Sequence, residues 1–366
     1  MIKDKKVLII TPSSQHIIGF RAGLIKALKS AGNKVSVIAF DGKFKTEAEK
    51  HGVNLYCVAD KNRGINPFLL LSLKNKYYKI INEIKPDVVF TFVLKPNTFG
   101  VLAAKKAGVK NIYSMVEGAG DVFINNGLKW RFIRKVVCAL YKKSFKNCKK
   151  VFFLNEDDRC EFLNRKLVDN SQCEIVRGIG VNLEKFAFKP IKNHKNFIMV
   201  ARLLKNKGVI EYCKCAEIVK QKYPEAVFNY LGSEGTVKLA DIQKYINNGT
   251  INYLGVTNDV RPYLEDSSML ILPSYREGMP MSVMEAEAMG RGIITSDVVG
   301  CKDTVENGYN GFIIPRGDYK KMAEKVIWCI ENPAEIEKFG KNARTFAEQN
   351  FDSKVINSQI LNVLGE

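Results

Sequence analysis

Two glutamates lie within the densest run of polar and turn-forming residues in the chain. Residues 273–286 read PSYREGMPMSVMEA and follow an apolar run, Met269–Leu272, that is typical of a buried strand. Gly and Pro predict a turn there, and a helix is expected to begin near Ser282. Free N–H groups at the start of that helix would attract an anion. Glu277 and Glu285 would repel one, so we interpret them as acceptors for the hydroxyl groups of a sugar or ribose.

Glu285 also has a purely structural explanation. The spacing Ser282-x-x-Glu285 matches a capping box, in which the glutamate only closes the start of its own helix. No capping rule requires Glu277. The sequence therefore leaves two interpretations of Glu285 open and favours a functional one for Glu277.

A second cluster consists of cations. Arg202 and Lys207 lie between an apolar run at 197–200 and a helical pattern at 208–222. If that run is a strand of a parallel sheet, both residues lie at its carboxyl end, where a guanidinium and an ammonium could bracket a diphosphate. The alternative is two ordinary surface cations.

Strand and helix patterns alternate along the whole chain and would position these clusters. The alternation predicts the α/β class, with two Rossmann-like doubly wound domains whose ligands lie at the carboxyl ends of the strands and in an interdomain cleft. We expect an N-terminal domain at 1–177, a linker rich in Gly, Pro and polar residues at 178–196, a C-terminal domain at 197–350, and a C-terminal helix at 351–366 that packs back on the N-terminal domain.

Composition excludes several classes of protein. Of the 366 residues, 46% are hydrophobic and 26% charged, which is typical of a globular protein rather than a disordered or collagen-like chain. No run approaches the roughly 18–20 apolar residues that span a bilayer, and the first residues show no secretory signal. The nine cysteines are scattered and contain no C-x-x-C, so we expect reduced thiols in a cytoplasmic protein.

The positive charge is confined to one part of the chain. Residues 1–150 hold 29 Lys and Arg against 9 Asp and Glu, whereas residues 151–366 hold 28 against 29. A lysine-rich composition imposed by the genome would affect both parts equally. The asymmetry therefore predicts that the first part faces an anionic partner: a membrane surface, a phosphorylated substrate or a nucleic acid.

Residues 128–146 contribute seven of these cations and no acid, with apolar residues at helical spacing. A basic amphipathic helix of this kind can lie on an anionic bilayer. Its apolar stripe could equally pack against the predicted sheet. For the membrane hypothesis, the candidate contact residues are Lys129, Trp130, Arg131, Arg134, Lys135, Lys142 and Lys143.

Taken together, the two clusters resemble the signature of glycosyltransferase family 4: Arg202 with Lys207-Gly208, followed by Glu277-Gly-x-Pro-x-Ser-x-x-Glu285-Ala286. The resemblance covers essentially the whole chain. It implies a GT-B fold and a retaining transferase that uses a nucleotide sugar. Residues 95–100 (KPNTFG) and 117–120 (EGAG) resemble the subset that extends undecaprenyl-diphosphate-linked saccharides in bacterial glycan assembly.

Carried over residue by residue, the resemblance assigns roles in donor binding. It implies that Arg202 and Lys207 bind the donor diphosphate, that Glu277 contacts the transferred sugar, and that Glu285 holds the ribose. It implies further donor contacts from Gly19, Gly278, Met279, Pro280, Met281, Ser282 and Val283.

On the acceptor side, the resemblance implies contacts from His16, Lys95, Asn97 and Glu117. Many family members have a histidine near the position of Glu117, so this residue is also a candidate catalytic group. The paired glycines usual near Gly19 are missing here.

The resemblance implies a UDP-sugar donor carrying a hexose or N-acetylhexosamine, with N-acetylgalactosamine favoured, and an enzyme on the inner face of the cell membrane. A galactosyl- or N-acetylglucosaminyltransferase with another acceptor, or a UDP-sugar 2-epimerase of the same architecture, is the alternative. No nucleic-acid-binding module is recognisable, and no G-x-G-x-x-G follows the first strand. Residues 155–158 (NEDD) could suggest a metal site, but their position predicts a helix cap, and no metal is expected.

Overall fold

The computed structural model describes residues 1–19, 21–59, 67–124 and 127–366. The chain divides into two compact units: Met1–Gly180 with Ser353–Glu366, and Val181–Asp352. Residues 181–196, predicted as part of a linker, belong to the second unit. The apolar side chains of Val181 and Phe186 are buried there, and the backbone N–H of Lys189 donates to the Met289 carbonyl. The Gly, Pro and polar residues of this segment obscure its packing in the sequence.

Within its described residues, the first unit holds a parallel sheet of seven strands in the order β3-β2-β1-β4-β5-β6-β7. The inner strands are almost wholly buried because helices cover both faces of the sheet. The strands are β1 (Lys6–Ile10), β2 (Lys34–Ala39), β3 (Asn54–Cys57), β4 (Val88–Phe92), β5 (Asn111–Val116), β6 (Lys150–Phe153) and β7 (Cys173–Ile175).

Helices connect these strands, and the last helix of the chain returns to this unit. Helices α4, α5, α7 and α8 share one apolar core with the sheet, whereas α15 packs against α2. A π-helical turn, Pro96–Gly100, precedes α5. The helices are α1 (Gln15–Ile18), α2 (Ala22–Ser30), α3 (Lys45–Lys50), α4 (Pro67–Ile84), α5 (Val101–Lys106), α6 (Asp121–Ile124), α7 (Leu128–Phe145), α8 (Glu156–Asn164) and α15 (Ser353–Leu364).

The second unit, which the structure describes in full, has a parallel sheet of six strands in the order β10-β9-β8-β11-β12-β13. Its strands are β8 (Asn196–Val200), β9 (Val227–Leu231), β10 (Asn252–Tyr253), β11 (Met269–Leu272), β12 (Gly292–Ser296) and β13 (Gly311–Ile314). Its α-helices are α9 (Val209–Lys222), α10 (Leu239–Asn247), α11 (Arg261–Glu265), α12 (Met281–Ala288), α13 (Tyr319–Glu331) and α14 (Pro333–Asn350).

The predicted fold class is confirmed: each unit is a Rossmann-like α/β layer structure with a parallel sheet. Among the described residues, no helix combines the length and the apolar character needed to cross a bilayer.

Candidate functional site

Two loops of the second unit meet at the carboxyl ends of the neighbouring strands β8 and β11. The backbone N–H of Tyr275 donates to the carbonyl of Asn206 over 2.8 Å. Gly208, with φ at +75°, lies so close to Pro273 that a Cβ would be 2.1 Å from the Pro273 carbonyl oxygen. Only glycine fits this left-handed, crowded position, so the two loops can touch.

This contact brings the predicted diphosphate cation and the predicted sugar carboxylate together. Lys207 Nζ lies 2.5 Å from Glu277 Oε1, and Ser274 Oγ donates to the same oxygen over 2.7 Å. The side chains of Lys207 and Glu277 are 22% and 11% exposed. Because both bonds use Oε1, the site holds the Glu277 carboxylate in a fixed orientation and leaves Oε2 for another donor.

Arg202 lies on the first of these loops and is exposed. Its carbonyl accepts bonds from the Leu204 N–H and the Tyr230 hydroxyl, which hold its backbone in place. Its guanidinium has no hydrogen bond or ion pair with the residues that the structure describes. The backbone is therefore ordered while the cationic group is available to a ligand.

Helix α12 begins one residue earlier than the sequence predicts. Its N-cap is Pro280, in an extended conformation, and no side chain caps the helix. Ser282 lies inside the first turn, so the capping-box interpretation of Glu285 is wrong. The predicted cradle is the loop and first turn formed by Gly278, Met279, Pro280, Met281, Ser282 and Val283. The Val283 N–H donates to the Pro280 carbonyl over 3.1 Å, and the N–H groups before it in the first turn have no acceptor within the helix.

Glu285 is partly buried on α12. Burial raises the pKa of its carboxyl to about 7, the charge of Lys185 opposes this shift, and the charge of Asp259 adds to it. Near neutral pH this carboxyl therefore changes between a neutral donor and a charged acceptor of hydrogen bonds.

A neighbouring acid, Glu287, has a different environment that the sequence did not indicate. It is fully buried, its Oε1 accepts a bond of 2.7 Å from Asn310 Nδ2, and burial raises its pKa well above the usual value. Its role is to hold the loop that contains Asn310 against α12. Glu285 and Glu287 therefore differ in their surroundings: the carboxyl of Glu285 is partly buried, and that of Glu287 lies in the core.

The first unit brings His16 and Glu117 near a buried arginine that sequence reasoning missed. Arg21 is 2% exposed, pairs with Glu117, and stacks 3.3 Å above the centre of the Phe92 ring. His16 Nδ1 shares a hydrogen bond of 2.7 Å with Thr11 Oγ1. Burial, aided by the charge of Arg21, lowers the pKa of His16 to about 4, so its imidazole is neutral at pH 7.

The other predicted acceptor residues, Lys95 and Asn97, lie just before and within the π-helical turn that precedes α5. Lys95 is half-buried and precedes the π-helical turn. Asn97 is fully buried: it donates to the Met115 carbonyl and accepts from Thr91 Oγ1, both over 2.8 Å. Its amide is used within the core, so the predicted acceptor contact is corrected to a structural role. Gly19, a predicted donor contact, follows α1 as its C-cap, and its N–H donates to the Gln15 carbonyl.

Helix α7 does not present its apolar stripe to solvent. Val137, Tyr141 and Phe145 are buried in the core of the first unit, which confirms the packing alternative. Among the predicted membrane residues, Arg134 donates from Nε to the Val122 carbonyl and Trp130 is half-buried. The exposed cations are Lys129, Arg131, Lys135, Lys142 and Lys143.

The acidic run at 156–158 forms the first turn of α8. Asn155 is the N-cap of this helix, and its Oδ1 accepts from the Asp158 N–H over 2.8 Å, which confirms the capping interpretation. Glu156 pairs with Arg159.

Comparison with known proteins places these features in a family. Residues 182–346 match the family described as Glycosyl transferases group 1, and residues 6–155 match Glycosyl transferase 4-like. The chain is 30% identical to the N,N'-diacetylbacillosaminyl-diphospho-undecaprenol alpha-1,3-N-acetylgalactosaminyltransferase of Campylobacter jejuni, with 97% of each chain covered. The chain is a member of glycosyltransferase family 4.

A second curated relative and two solved structures are also similar to this chain. This glycosyltransferase is 26% identical to the UDP-Gal:alpha-D-GlcNAc-diphosphoundecaprenol alpha-1,3-galactosyltransferase of Escherichia coli, over 73% of this chain and 72% of the relative. Its fold matches the Anabaena protein Alr3699/HepE, solved with UDP and glucose, with a TM-score of 0.81, 18% identity, and 99% and 100% of the two chains covered. TarM matches with a TM-score of 0.78, 14% identity and 99% coverage of both chains.

Proposed function

We propose that this glycosyltransferase moves a hexose or N-acetylhexosamine, with N-acetylgalactosamine favoured, from a UDP-sugar to an undecaprenyl-diphosphate-linked saccharide, with retention at the anomeric carbon. The second unit binds the donor, and the first unit binds the acceptor at the inner face of the cell membrane.

The observation that carries this proposal is the pairing of Lys207 with Glu277. A UDP-sugar places an anionic diphosphate directly beside the hydroxyl groups of its sugar. The site places Lys207 Nζ, a cation for the diphosphate, 2.5 Å from Glu277 Oε1, which belongs to a carboxylate suited to the sugar hydroxyls. Glu277 Oε2 can accept from a sugar hydroxyl while Oε1 continues to orient Lys207.

The chemistry follows from the charge that develops on the leaving group. As the bond between the anomeric carbon and the diphosphate breaks, negative charge accumulates on the departing UDP. Arg202, Lys207 and the N–H groups at the start of α12 stabilise that charge, which lowers the barrier without a metal ion. Glu285 accepts from the ribose hydroxyls. The acceptor hydroxyl bonds to the anomeric carbon on the face that the diphosphate leaves, and its proton passes to the departing diphosphate oxygen.

The names of the relatives support the choice of substrates. The Campylobacter jejuni and Escherichia coli enzymes are named for transfer of N-acetylgalactosamine and galactose to saccharides carried on diphospho-undecaprenol. The Anabaena structure was solved with UDP and glucose. These names favour a UDP-sugar and a lipid-linked acceptor for this chain.

The test combines substrates with charge-removing variants. UDP release from a panel of UDP-sugars is measured with and without a polyprenyl-diphosphate-linked saccharide. We expect UDP release only when the acceptor is present, and we expect that release to continue when EDTA is added. Release without acceptor, together with an epimerised sugar, would support the epimerase instead, and a strict need for Mn²⁺ or Mg²⁺ would contradict metal-free stabilisation.

In the same assay, Arg202→Ala and Lys207→Ala should each cost about 2–4 kcal/mol in kcat/KM, because each removes charge stabilisation from the leaving group. Lys205→Ala is the matched control, since Lys205 is an exposed cation on the same loop. If the Arg202 and Lys207 variants match this control, the site is assigned wrongly.

A further inference from the structure

Large apolar side chains are exposed at the beginnings of two helices of the first unit. On α7, Leu128 and Phe132 expose 83% and 67% of their surface, and on α4, Leu69 and Leu71 expose 45% and 56%. Further along both helices, the large apolar side chains that the structure describes are buried or half-buried. We call these four residues the apolar tips.

The apolar tips lie at one end of one helical layer. Both helices run back from the carboxyl edge of the parallel sheet toward its amino edge: α4 precedes β4, and α7 lies between β5 and β6. Right-handed crossovers from β3 to β4 and from β5 to β6 put both helices on the same face. Both also pack against the turn Pro96–Gly100. The tips therefore share the sheet edge where Glu117 follows β5.

Each helix also lines a cationic depression further along its axis. On α7 a depression of about 470 Å³ is lined by Arg131, Arg134, Lys135, Cys138 and Arg165. On α4 a depression of about 450 Å³ is lined by Leu71, Ser72, Asn75, Lys76 and Lys79. At a rise of 1.5 Å per residue, the cations of both depressions begin within about 10 Å of the tips. Glu161 pairs with Arg165 at the rim of the first depression.

We propose that the apolar tips insert into an anionic bilayer while lipid phosphates occupy the two cationic depressions. An inserted apolar surface typically lies about 5–10 Å into the headgroup boundary, which matches the spacing of the tips and the cations. This inference rests on the proposed function for its lipid-linked acceptor. It differs from the lengthwise docking of α7, because the stripe needed for that mode is buried or half-buried.

Charge favours a bilayer over a second copy of this chain. Helix α7 has no acid, and the one acid in α4 is Glu83, near the far end. Two such surfaces would repel one another, whereas anionic lipids attract each cation near the membrane surface.

The test is flotation of the full-length chain with vesicles of phosphatidylcholine alone or with about 30% phosphatidylglycerol, whose negative surface potential attracts basic segments. Leu128→Ser/Phe132→Ser and Leu69→Ser/Leu71→Ser should each weaken binding to anionic vesicles at least about fivefold, because they remove the inserted surface. Val256→Ser/Val355→Ser is the matched control, since these valines are 69% and 55% exposed elsewhere. It should change binding less than about twofold.

Three results would overturn the proposal. The tip variants could match the control, the wild-type chain could bind neither vesicle type, or the tip variants could abolish self-association in solution without changing vesicle binding. Calorimetric UDP binding should be unchanged in every variant. A failed flotation test with normal UDP binding and acceptor-dependent release would therefore reject the docking surface and leave the proposed function intact.

Discussion

At the scale of single residues, Glu277 and Glu285 differ in their surroundings although the sequence presents them as a pair. Glu277 is oriented by a cation and a hydroxyl, both at Oε1. Glu285 faces no ion-pair partner among the described residues, and burial raises its pKa to about 7. Glu277 is oriented by direct contacts with its neighbours, whereas Glu285 is governed by burial and by the charges of Lys185 and Asp259.

The raised pKa of Glu285 predicts how the stability of the protein depends on pH. A carboxyl with a pKa of about 7 when folded and 4.5 when unfolded binds its proton more tightly in the native state. Its contribution to stability is therefore favourable below about pH 4.5 and lost as pH rises through 7. Glu285→Gln should be more stable than the wild type above pH 7, by at most about 3 kcal/mol, with the difference shrinking toward pH 5.

Urea denaturation of both proteins from pH 5 to 8 measures this effect. In calorimetric titrations, wild-type UDP affinity should fall more steeply than that of Glu285→Gln as pH drops below 7, since protonation removes the ribose acceptor. Parallel pH dependences of stability and affinity in the two proteins would show that Glu285 stays ionised and faces no ribose.

Because Arg21 pairs with Glu117, we expect substitutions of the two residues to have strongly non-additive effects on the free energy of unfolding. Removing one partner leaves the other charge buried, which typically costs about 3–5 kcal/mol, whereas removing both avoids that penalty. Arg21→Met and Glu117→Gln should each destabilise the chain, and the double variant should be more stable than the sum of the two effects predicts, by at least about 1 kcal/mol.

Chemical denaturation of the four proteins completes this double-mutant cycle. The pair Arg165–Glu161 on α8 serves as control, because its side chains are 37% and 33% exposed. Its coupling should stay below about 0.5 kcal/mol. Equal coupling energies in the two pairs would mean that the burial of Arg21 does not strengthen its interaction with Glu117.

Sequence reasoning found the candidate residues that belong to local patterns and missed those that depend on distant contacts. Arg202, Lys207 and Glu277 follow strands, so their position at a sheet edge could be predicted. Arg21 pairs with a residue 96 positions away, and no local pattern encodes that distance. The family resemblance of residues 95–100 implies an acceptor contact for Asn97, but its amide bonds are satisfied inside the core.

At the scale of elements, the site depends on two loops that touch. Gly208→Ala would place a Cβ 2.1 Å from the Pro273 carbonyl oxygen, in a left-handed conformation. We expect it to separate the loops, lower kcat/KM more than tenfold, and destabilise the chain. Gly249→Ala isolates the backbone effect, because Gly249 has a similar φ of +72° with nothing within 4 Å of its Cβ position.

Thermal denaturation and acceptor-dependent UDP release measure both variants. Gly249→Ala should cost only about 1 kcal/mol and keep kcat/KM near the wild-type value. If Gly208→Ala behaves in the same way, the contact between the loops is not needed for the site.

The inner strands could be predicted from the sequence because they are continuous apolar runs. The edge strands β3 and β7 were missed: NLYC and CEI are short, partly exposed and mixed in polarity. Their strand conformation comes from pairing with β2 and β6. The sequence also puts the start of α12 one residue too late. Pro280 supplies the extended residue before the helix, and the spacing of Ser282 and Glu285 matches a capping box only by coincidence.

At the scale of the whole molecule, the second unit is one continuous stretch of chain. Its two ends adjoin: the Val181 N–H donates to the Phe351 carbonyl over 2.8 Å, and Val181 forms a β-bridge with Asp352. We expect residues 181–352 expressed alone to fold cooperatively and to bind UDP within about tenfold of the full-length affinity, measured by calorimetry. A fragment that folds but does not bind UDP would show that the donor site requires the first unit.

The adjoining ends have a consequence for how such enzymes can change. The first unit resumes at Ser353, whose Cα lies 2.6 Å from where a Cβ on Gly180 would be, so its two chain ends also meet. The second unit can therefore be replaced as a whole by cutting the chain after Gly180 and before Ser353, two points that lie close together. A chimera that keeps residues 1–180 and 353–366 and receives the corresponding segment of a relative with another donor should fold, and the inserted segment should set which nucleotide sugar is used.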